Sequence, residues 1–213
     1  MFRNIFNPDN ALMITFAQIS DCIFLSLLWI LCCFPLLTLG PSCAALYDSV
    51  FRSFRKEEKN SWSRFFKVFR DNLKAGILPG IMFLLLFWLL SKALITAWNA
   101  AVAAALSWAL FAAISLLGMI ALGMLGLIFP VLSRFENSFL GLLKNSVLLA
   151  LANLPRTLGL GVLYAAAIFL CLRFIFPLFF LPALISLIST LLIEPMFRPF
   201  MPEEEDIDEN AAL

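Results

Sequence analysis

Histidine is absent from the sequence, which removes the commonest metal ligand and general base from consideration. Without histidine a Ser-His-Asp triad is impossible, and the sequence contains no Gly-rich phosphate-binding loop. The five cysteines lie mostly within or beside apolar stretches with no zinc-site spacing, so we interpret them as small buried hydrophobic residues. These absences predict a protein that is not an enzyme and uses no metal or cofactor.

Charge is also scarce, because only 14% of the 213 residues are charged whereas 62% are apolar, and the mean hydropathy is +0.97. Such values lie far above those of soluble globular chains. The composition therefore predicts an all-α polytopic membrane helix bundle surrounded by the lipid bilayer. The basic residues lie next to apolar stretches, which favours a role in membrane orientation over nucleic-acid binding.

Apolar runs predict about five transmembrane helices, since about 20 apolar residues suffice to cross the hydrocarbon core. We expect a single membrane domain over residues 1–198, followed by an acidic, disordered tail over 199–213. Pro177 and Pro182 could be kinks within longer helices, so the boundaries of the last two spans stay open. The predicted spans are 17–39, 75–98, 108–132, 157–172 and 178–193.

The segment 41–74 interrupts the apolar sequence and holds eight of the fifteen basic residues. It predicts two helices on the cytoplasmic side, over 42–54 and 62–73, joined by a turn at Asn60 and Ser61. The second has aromatic residues at i, i+3, i+4 and i+7, which is typical of an amphipathic helix lying among lipid headgroups or in a partner's groove. Its candidate contact residues are Trp62, Phe65, Phe66, Phe69, Arg64, Lys67 and Arg70.

Basic residues also predict the orientation. With five spans and the amino terminus outside, the inner segments hold twelve of the fifteen basic residues, and the carboxyl terminus is cytoplasmic. Arg3, Lys92 and Arg173 then lie outside. Asp21, the one charged residue of the first span, is expected near Lys92 and Arg173 at the outer end. It is a candidate intramembrane charge: a proton or cation site, a member of an ion pair, or an interfacial carboxylate.

A weak internal similarity relates the two halves of the sequence. The order of span, Pro41, helix, amphipathic helix, Asn72 and span is echoed by span, Pro130, helix, Asn145 and span. Two such parallel units would be typical of transport folds. Because apolar helices resemble one another in composition, both duplication and chance similarity stay open.

Several motifs occur together and in order at the predicted membrane boundaries. They read IFNPDN from Ile5, LLTLGPSCAALY from Leu36, FFKVFRDNLKAG from Phe65, FPVLSRFENSF from Phe129 and LLKNSVLLALANLP from Leu142. Over nearly the whole chain the sequence resembles the YesL-like integral membrane proteins of bacteria, a family of unknown molecular function. The resemblance implies a bacterial cell membrane and a setting in carbohydrate uptake beside ABC-type sugar importers. It implies no catalytic residues.

Two hypotheses of function follow. In the first, the chain is an accessory or scaffold protein that binds ABC importer subunits, or another partner, through its cytoplasmic helices. In the second, it is a small secondary transporter or channel-like protein, although its spans carry few polar groups. A third interpretation is that the basic, aromatic helix only anchors the bundle at an anionic membrane surface.

Overall fold

The computed structural model describes residues 11–55, 60–103, 107–135 and 139–200. Within these ranges the chain forms α-helices and short 3-10 turns and no strand, which confirms the all-α prediction. Of the predicted tail, 199–213, the first two residues belong to a 3-10 turn over Arg198–Phe200, and the rest lies outside the described residues. The helices are α1 (Ala11–Cys33), α2 (Leu39–Arg55), α3 (Ser61–Asp71), α4 (Leu73–Ala103), α5 (Ser107–Arg134), α6 (Phe139–Ala152), α7 (Leu154–Arg173) and α8 (Leu181–Phe197).

Three helices, α4, α5 and α7, are long and apolar enough to cross a membrane, and each contains one of the predicted spans. Their apolar stretches are Leu73–Ala103, Trp108–Arg134 and Leu154–Arg173. Three other apolar helical stretches are shorter, namely Gln18–Cys33, Phe139–Ala152 and Leu181–Phe197. Length and composition thus indicate a membrane helix bundle with three span-length helices, and the predicted total of five depends on the shorter ones.

The first predicted span, 17–39, is interrupted. Helix α1 stops at Cys33, and Pro35 leads into a 3-10 turn over Leu36–Thr38. Proline has no backbone N–H with which to continue a helix, which accounts for the break. Helix α2 begins immediately after this turn, so the chain reverses direction where a continuous span was expected.

Helices α1 and α2 form an antiparallel hairpin. Near the turn, the Trp29 indole N–H donates to Cys43 Sγ at 3.4 Å. Two turns earlier in α1, Asp21 accepts a hydrogen bond from Ser53 near the end of α2. The amino-terminal half of α1 therefore lies beside the end of α2 and the start of α3.

Helix α2 lies at the centre of the bundle, in contact with α1, α3, α4, α5 and α8. It contributes to both hydrophobic clusters of the described chain. Ala44 and Tyr47 pack with residues of α5 to α8, whereas Ala45 and Val50 pack with residues of α1 and α3. Helix α2 is thus the element that joins the two hydrophobic clusters.

Two pairs of helices meet through glycine in the same way. Gly40 at the start of α2 lies against the backbone of Gly76 in α4. Gly123 in α5 lies against the backbone of Thr157 and Gly161 in α7. A Cβ at any of these glycines would overlap the neighbouring helix, so the close approach depends on the missing side chain.

The asparagines that precede α4 and α7 correspond as well. Asn72 Nδ2 donates to the Val68 carbonyl at 3.0 Å, and Asn153 Nδ2 donates to the Leu149 carbonyl at 3.3 Å. Asn72 lies four residues before Gly76, which Gly40 contacts, and Asn153 lies four residues before Thr157, which Gly123 contacts. These contacts support two related units and match Asn72 with Asn153, where the sequence pattern predicts Asn145.

Candidate functional site

The aromatic residues predicted to share one face of α3 differ in burial. Phe65 is fully buried and Val68 nearly so, packed in the cluster formed with α1 and α2. Phe69 is half-buried and stacks on Phe65, with ring centroids 6.3 Å apart. Trp62 and Phe66 are 57% and 47% exposed. Phe65 is therefore a core residue, and Trp62 and Phe66 are the aromatic residues of α3 that are left for a contact outside the chain.

The basic residues of α3 divide in the same way. Arg64 Nε lies 2.6 Å from Asp48 Oδ2, and Arg52 Nε lies 3.4 Å from Asp48 Oδ1. Asp48 is only 1% exposed, and a buried carboxylate without a cation would be strongly destabilising. Arg64 thus ties α3 to α2, whereas Lys67 and Arg70 are exposed.

We define the outer face of α3 as Trp62, Ser63, Phe66, Lys67 and Arg70, all of which are exposed. This face borders a surface groove of about 790 Å³ that continues onto the start of α4. The groove is lined by Phe66, Lys67, Phe69, Arg70, Asp71, Leu73 and Lys74. Three cationic side chains and one carboxylate give it a net positive charge, with aromatic rings at its edge.

Asp21 lies at the junction of α1, α2 and α3. The hydroxyls of Ser53 and Ser61 each donate to Asp21 Oδ2 at 3.2 Å, and the two serine oxygens are 2.8 Å apart. The structure therefore does not bring Asp21 to Lys92 or Arg173, which in the described chain lie against aromatic rings. Asp21 instead accepts hydroxyl bonds at the same end of the bundle as the arginines of α2 and α3.

A buried polar network joins α2, α5 and α8. Glu194 Oε1 accepts hydrogen bonds from the Tyr47 hydroxyl at 2.8 Å and from Arg134 Nη2 at 2.9 Å. The Arg134 guanidinium also lies over the ring of Phe51, 4.1 Å from its centroid. Burial, together with the negative charge of Glu194, raises the pKa of Tyr47 well above its ordinary value. The phenol therefore stays protonated and keeps donating to the carboxylate.

The sequence did not indicate that Arg134 and Glu194 meet. Their pairing across 60 residues leaves no periodic pattern, so the network was missed. A partial signal exists, because charges of opposite sign stand at the ends of two different apolar runs and can meet if those ends share one side of the bundle.

A half-open cavity of about 410 Å³ lies between α1, α2, α4, α5, α7 and α8. Its walls are mainly Leu, Ile, Phe and other apolar side chains, among them Phe83, Phe129 and Ile185. Tyr47 belongs to its lining, so the cavity is adjacent to the buried network. Within the described residues no group of three or more His, Cys, Asp or Glu side chains could hold a metal ion.

Comparison with known families supports the resemblance inferred from the motifs. Residues 22–94 match the model of a family described as protein of unknown function, DUF624. This is the YesL-like family. A search of curated proteins and a search of solved structures find no match.

The matched stretch begins within α1 and ends within α4. It therefore includes the hairpin of α1 and α2, the whole of α3 and the glycine contact between α2 and α4. Because the YesL-like family has no assigned molecular function, the match supports a membrane protein of this type and assigns no partner or solute.

Proposed function

We propose that the chain is an integral membrane accessory or scaffold protein that binds a partner protein through the outer face of α3. The observation that carries the proposal is the division of α3. Phe65 and Arg64 hold the helix on the bundle, while Trp62 and Phe66 remain exposed. Rigid exposed aromatic residues beside basic ones are typical of interface anchors, because they bury a large area with little loss of side-chain entropy.

The proposed partner is a membrane subunit of an ABC-type carbohydrate importer, the setting that the YesL-like resemblance implies. The groove beside α3 carries Lys67, Arg70 and Lys74, which favours a partner surface rich in acidic residues. An anionic membrane surface would also attract these cations, at about 1 kcal/mol for each. The membrane is therefore the competing occupant of this face.

The proposal also includes an orientation. Asp21, Ser53 and Ser61 meet where α2 ends. Arg134 lies at the same end, because its guanidinium packs over the ring of Phe51. Because basic residues concentrate there, the positive-inside rule assigns this end to the cytoplasm. The amino-terminal half of α1 is then cytoplasmic, which differs from the outside amino terminus that the count of five spans predicts.

Co-purification tests the proposed role. The tagged chain is isolated in mild detergent from its native membrane, and importer subunits are quantified for the wild type and for Trp62→Ala/Phe66→Ala. Truncation of two anchors should reduce their recovery about tenfold or more. A matched control is Trp88→Ala/Trp98→Ala, which removes two aromatic residues of α4 that are 56% and 50% exposed. Unchanged recovery with the α3 variant would overturn the proposal.

The cavity favours a second candidate, a small secondary transporter that acts through its own bundle. A solute path needs a space between span-length helices, and the cavity lies between α4, α5 and α7. The described lining residues include no charged side chain, so a sugar or ion would find few partners there. Uptake of radiolabelled sugar by proteoliposomes containing only this chain would support the transporter; uptake equal to that of empty vesicles would exclude it.

A further inference from the structure

The half-open cavity between the helices has the size of a ligand site. Protein interiors contain few voids larger than a water molecule, whereas ligand sites range from about 300 to 1,000 Å³. At about 410 Å³ the cavity falls within the second group. Contributions from six helices, including the central α2, show that the space is built into the bundle and does not result from one poorly packed loop.

The chemistry of the walls limits what can occupy the cavity. Its described lining residues are apolar, aromatic or neutral polar, with no Asp, Glu, Lys or Arg among them. The Tyr47 hydroxyl is already bonded to Glu194, and the Ser189 hydroxyl is bonded to the Ser186 carbonyl. A charged ligand would lose its hydration without gaining a counter-ion, so an uncharged and mostly apolar ligand is favoured.

Among the described residues that line the cavity, Ser186 supplies the one buried hydroxyl that has no hydrogen-bond partner. The residue lines the cavity and is only 8% exposed, and its hydroxyl has no hydrogen-bond partner among the described residues. By contrast, the neighbouring Ser189 hydroxyl donates to the Ser186 carbonyl at 2.7 Å. A buried hydroxyl without a partner is unfavourable. A change of the Ser186 rotamer would turn the hydroxyl towards the cavity, where one oxygen atom of a ligand could bond to it.

The cavity opens towards the apolar surroundings of the bundle. Leu172 belongs to its lining and is 83% exposed, and Leu178 lines it from the 3-10 turn that follows α7. The neighbouring side chains Phe174, Ile175 and Phe176 are 58%, 77% and 78% exposed. Large exposed apolar side chains at such a mouth suit contact with lipid chains, so a ligand would enter from the bilayer.

We propose that this cavity binds the hydrocarbon chain of an uncharged lipid, an acyl or prenyl chain that carries a hydroxyl or carbonyl oxygen to which Ser186 bonds. The site is separate from the outer face of α3. The proposal therefore goes beyond the partner-binding role and does not depend on it.

Photocrosslinking tests the site in the complete chain. The protein is reconstituted into phosphatidylcholine vesicles with hexadecanol that carries a diazirine in its chain, and labelled residues are mapped by mass spectrometry. Labels should fall on lining residues of α7 and α8, and excess hexadecanol should displace them. Labelling confined to lipid-facing residues, or labelling that excess hexadecanol leaves unchanged, would overturn the proposal.

Two adjacent alanines of α7 provide a matched pair of variants. Ala167 lines the cavity, whereas Ala166 is exposed on the outside of the bundle and is not part of the lining. Ala167→Phe should fill the space and abolish displaceable labelling, and Ala166→Phe should leave it at the wild-type level. Equal labelling of the two variants would contradict the site, provided that both elute as the wild type does in gel filtration.

Alanine variants of two serines distinguish the loss of the proposed hydrogen bond to the ligand from general effects of substitution. Ser146 on α6 is also buried, and its hydroxyl likewise has no partner among the described residues, but it does not line the cavity. Ser186→Ala should weaken hexadecanol binding about fivefold, the value of one neutral hydrogen bond. Ser146→Ala should not change it. Palmitate, the charged analogue, should displace the probe less well than hexadecanol, and equal displacement would overturn the assignment to uncharged lipids.

Discussion

Single residues show how this apolar bundle accommodates charge. The two carboxylates that are buried in the described part of the chain, Asp48 and Glu194, lie within 3.5 Å of arginine nitrogens, and Glu194 also accepts a hydrogen bond from the Tyr47 hydroxyl. Pairing matters because loss of one partner leaves the other charge buried and uncompensated. The two carboxylates tie α2 to α3, α5 and α8, so polar contacts fix the position of the central helix.

Removal of the Glu194 partner should therefore destabilise the fold. We expect Arg134→Gln to lower the free energy of unfolding by about 3–5 kcal/mol, since it breaks a buried pair. Thermal unfolding in detergent would measure the change. Arg156→Gln is the control, because Arg156 lies on an exposed part of α7 and, among the described residues, bonds to nearby Asn153. Equal shifts for the two variants would contradict the structural role of the pair.

Adjacent phenylalanines of α3 should behave differently. Phe65→Ala removes a fully buried ring and should lower the free energy of unfolding by about 3–5 kcal/mol. Phe66→Ala removes an exposed ring and should change stability by no more than about 0.5 kcal/mol. The same unfolding assay distinguishes them. A large loss of stability with Phe66→Ala would mean that this ring supports the fold and is not reserved for a partner.

Helices of the bundle approach one another most closely at glycine. Gly161 of α7 lies against the Met119 carbonyl of α5, and a Cβ there would overlap this backbone. Gly159, half a turn away, has room, since an added Cβ would meet only Leu192 Cδ1 at 3.6 Å. Alanine variants at the two positions thus distinguish the effect of helix packing from the intrinsic preference of alanine for helices.

We expect Gly161→Ala to lower the free energy of unfolding by about 1–3 kcal/mol through overpacking. Gly159→Ala should be neutral or stabilising by about 0.5–1 kcal/mol, because alanine restricts the unfolded chain more than glycine does. Unfolding of the two variants under identical detergent conditions checks the difference. A stable Gly161→Ala variant would contradict the close approach of α5 and α7.

The positions of the helices could be predicted from the sequence better than the contacts between them. Apolar runs located α4, α5 and α7, and the period of the aromatic residues predicted the helix α3. The burial of Phe65 was not predicted, because periodicity identifies an amphipathic helix without showing how far its neighbours cover the aromatic face. The reversal after Cys33 was missed for a similar reason: apolar composition continues through the turn, and only Pro35 marks it.

The whole molecule has two ends of different character. Arg134 at one end of α5 and Trp108 at the other are about 39 Å apart along the helix, enough to cross a bilayer. Trp108 packs edge-on against Trp98 of α4, 5.7 Å between centroids, as aromatic residues do at membrane interfaces. Most basic residues of the described chain belong to the Arg134 end, which we assign to the cytoplasm.

Cysteine accessibility tests this orientation. Gln18→Cys in α1 and Ser63→Cys in α3 should react with an impermeant thiol reagent only after the cells are permeabilised. Asn99→Cys near the end of α4 should react in intact cells. Labelling of the unsubstituted chain provides the background, because its five cysteines are free and partly buried. Labelling of Gln18→Cys in intact cells would contradict the shared cytoplasmic end and restore an outside amino terminus.

The central claim, that the outer face of α3 binds a protein, can be tested most directly by a photocrosslinking amino acid at position 66. Benzoylphenylalanine keeps the aromatic character of Phe66, and the same substitution at Trp88 serves as a lipid-facing control. Irradiation of native membranes should link position 66, and not position 88, to an importer subunit. Crosslinks from position 66 to lipid alone would contradict the account and assign this face to the membrane surface.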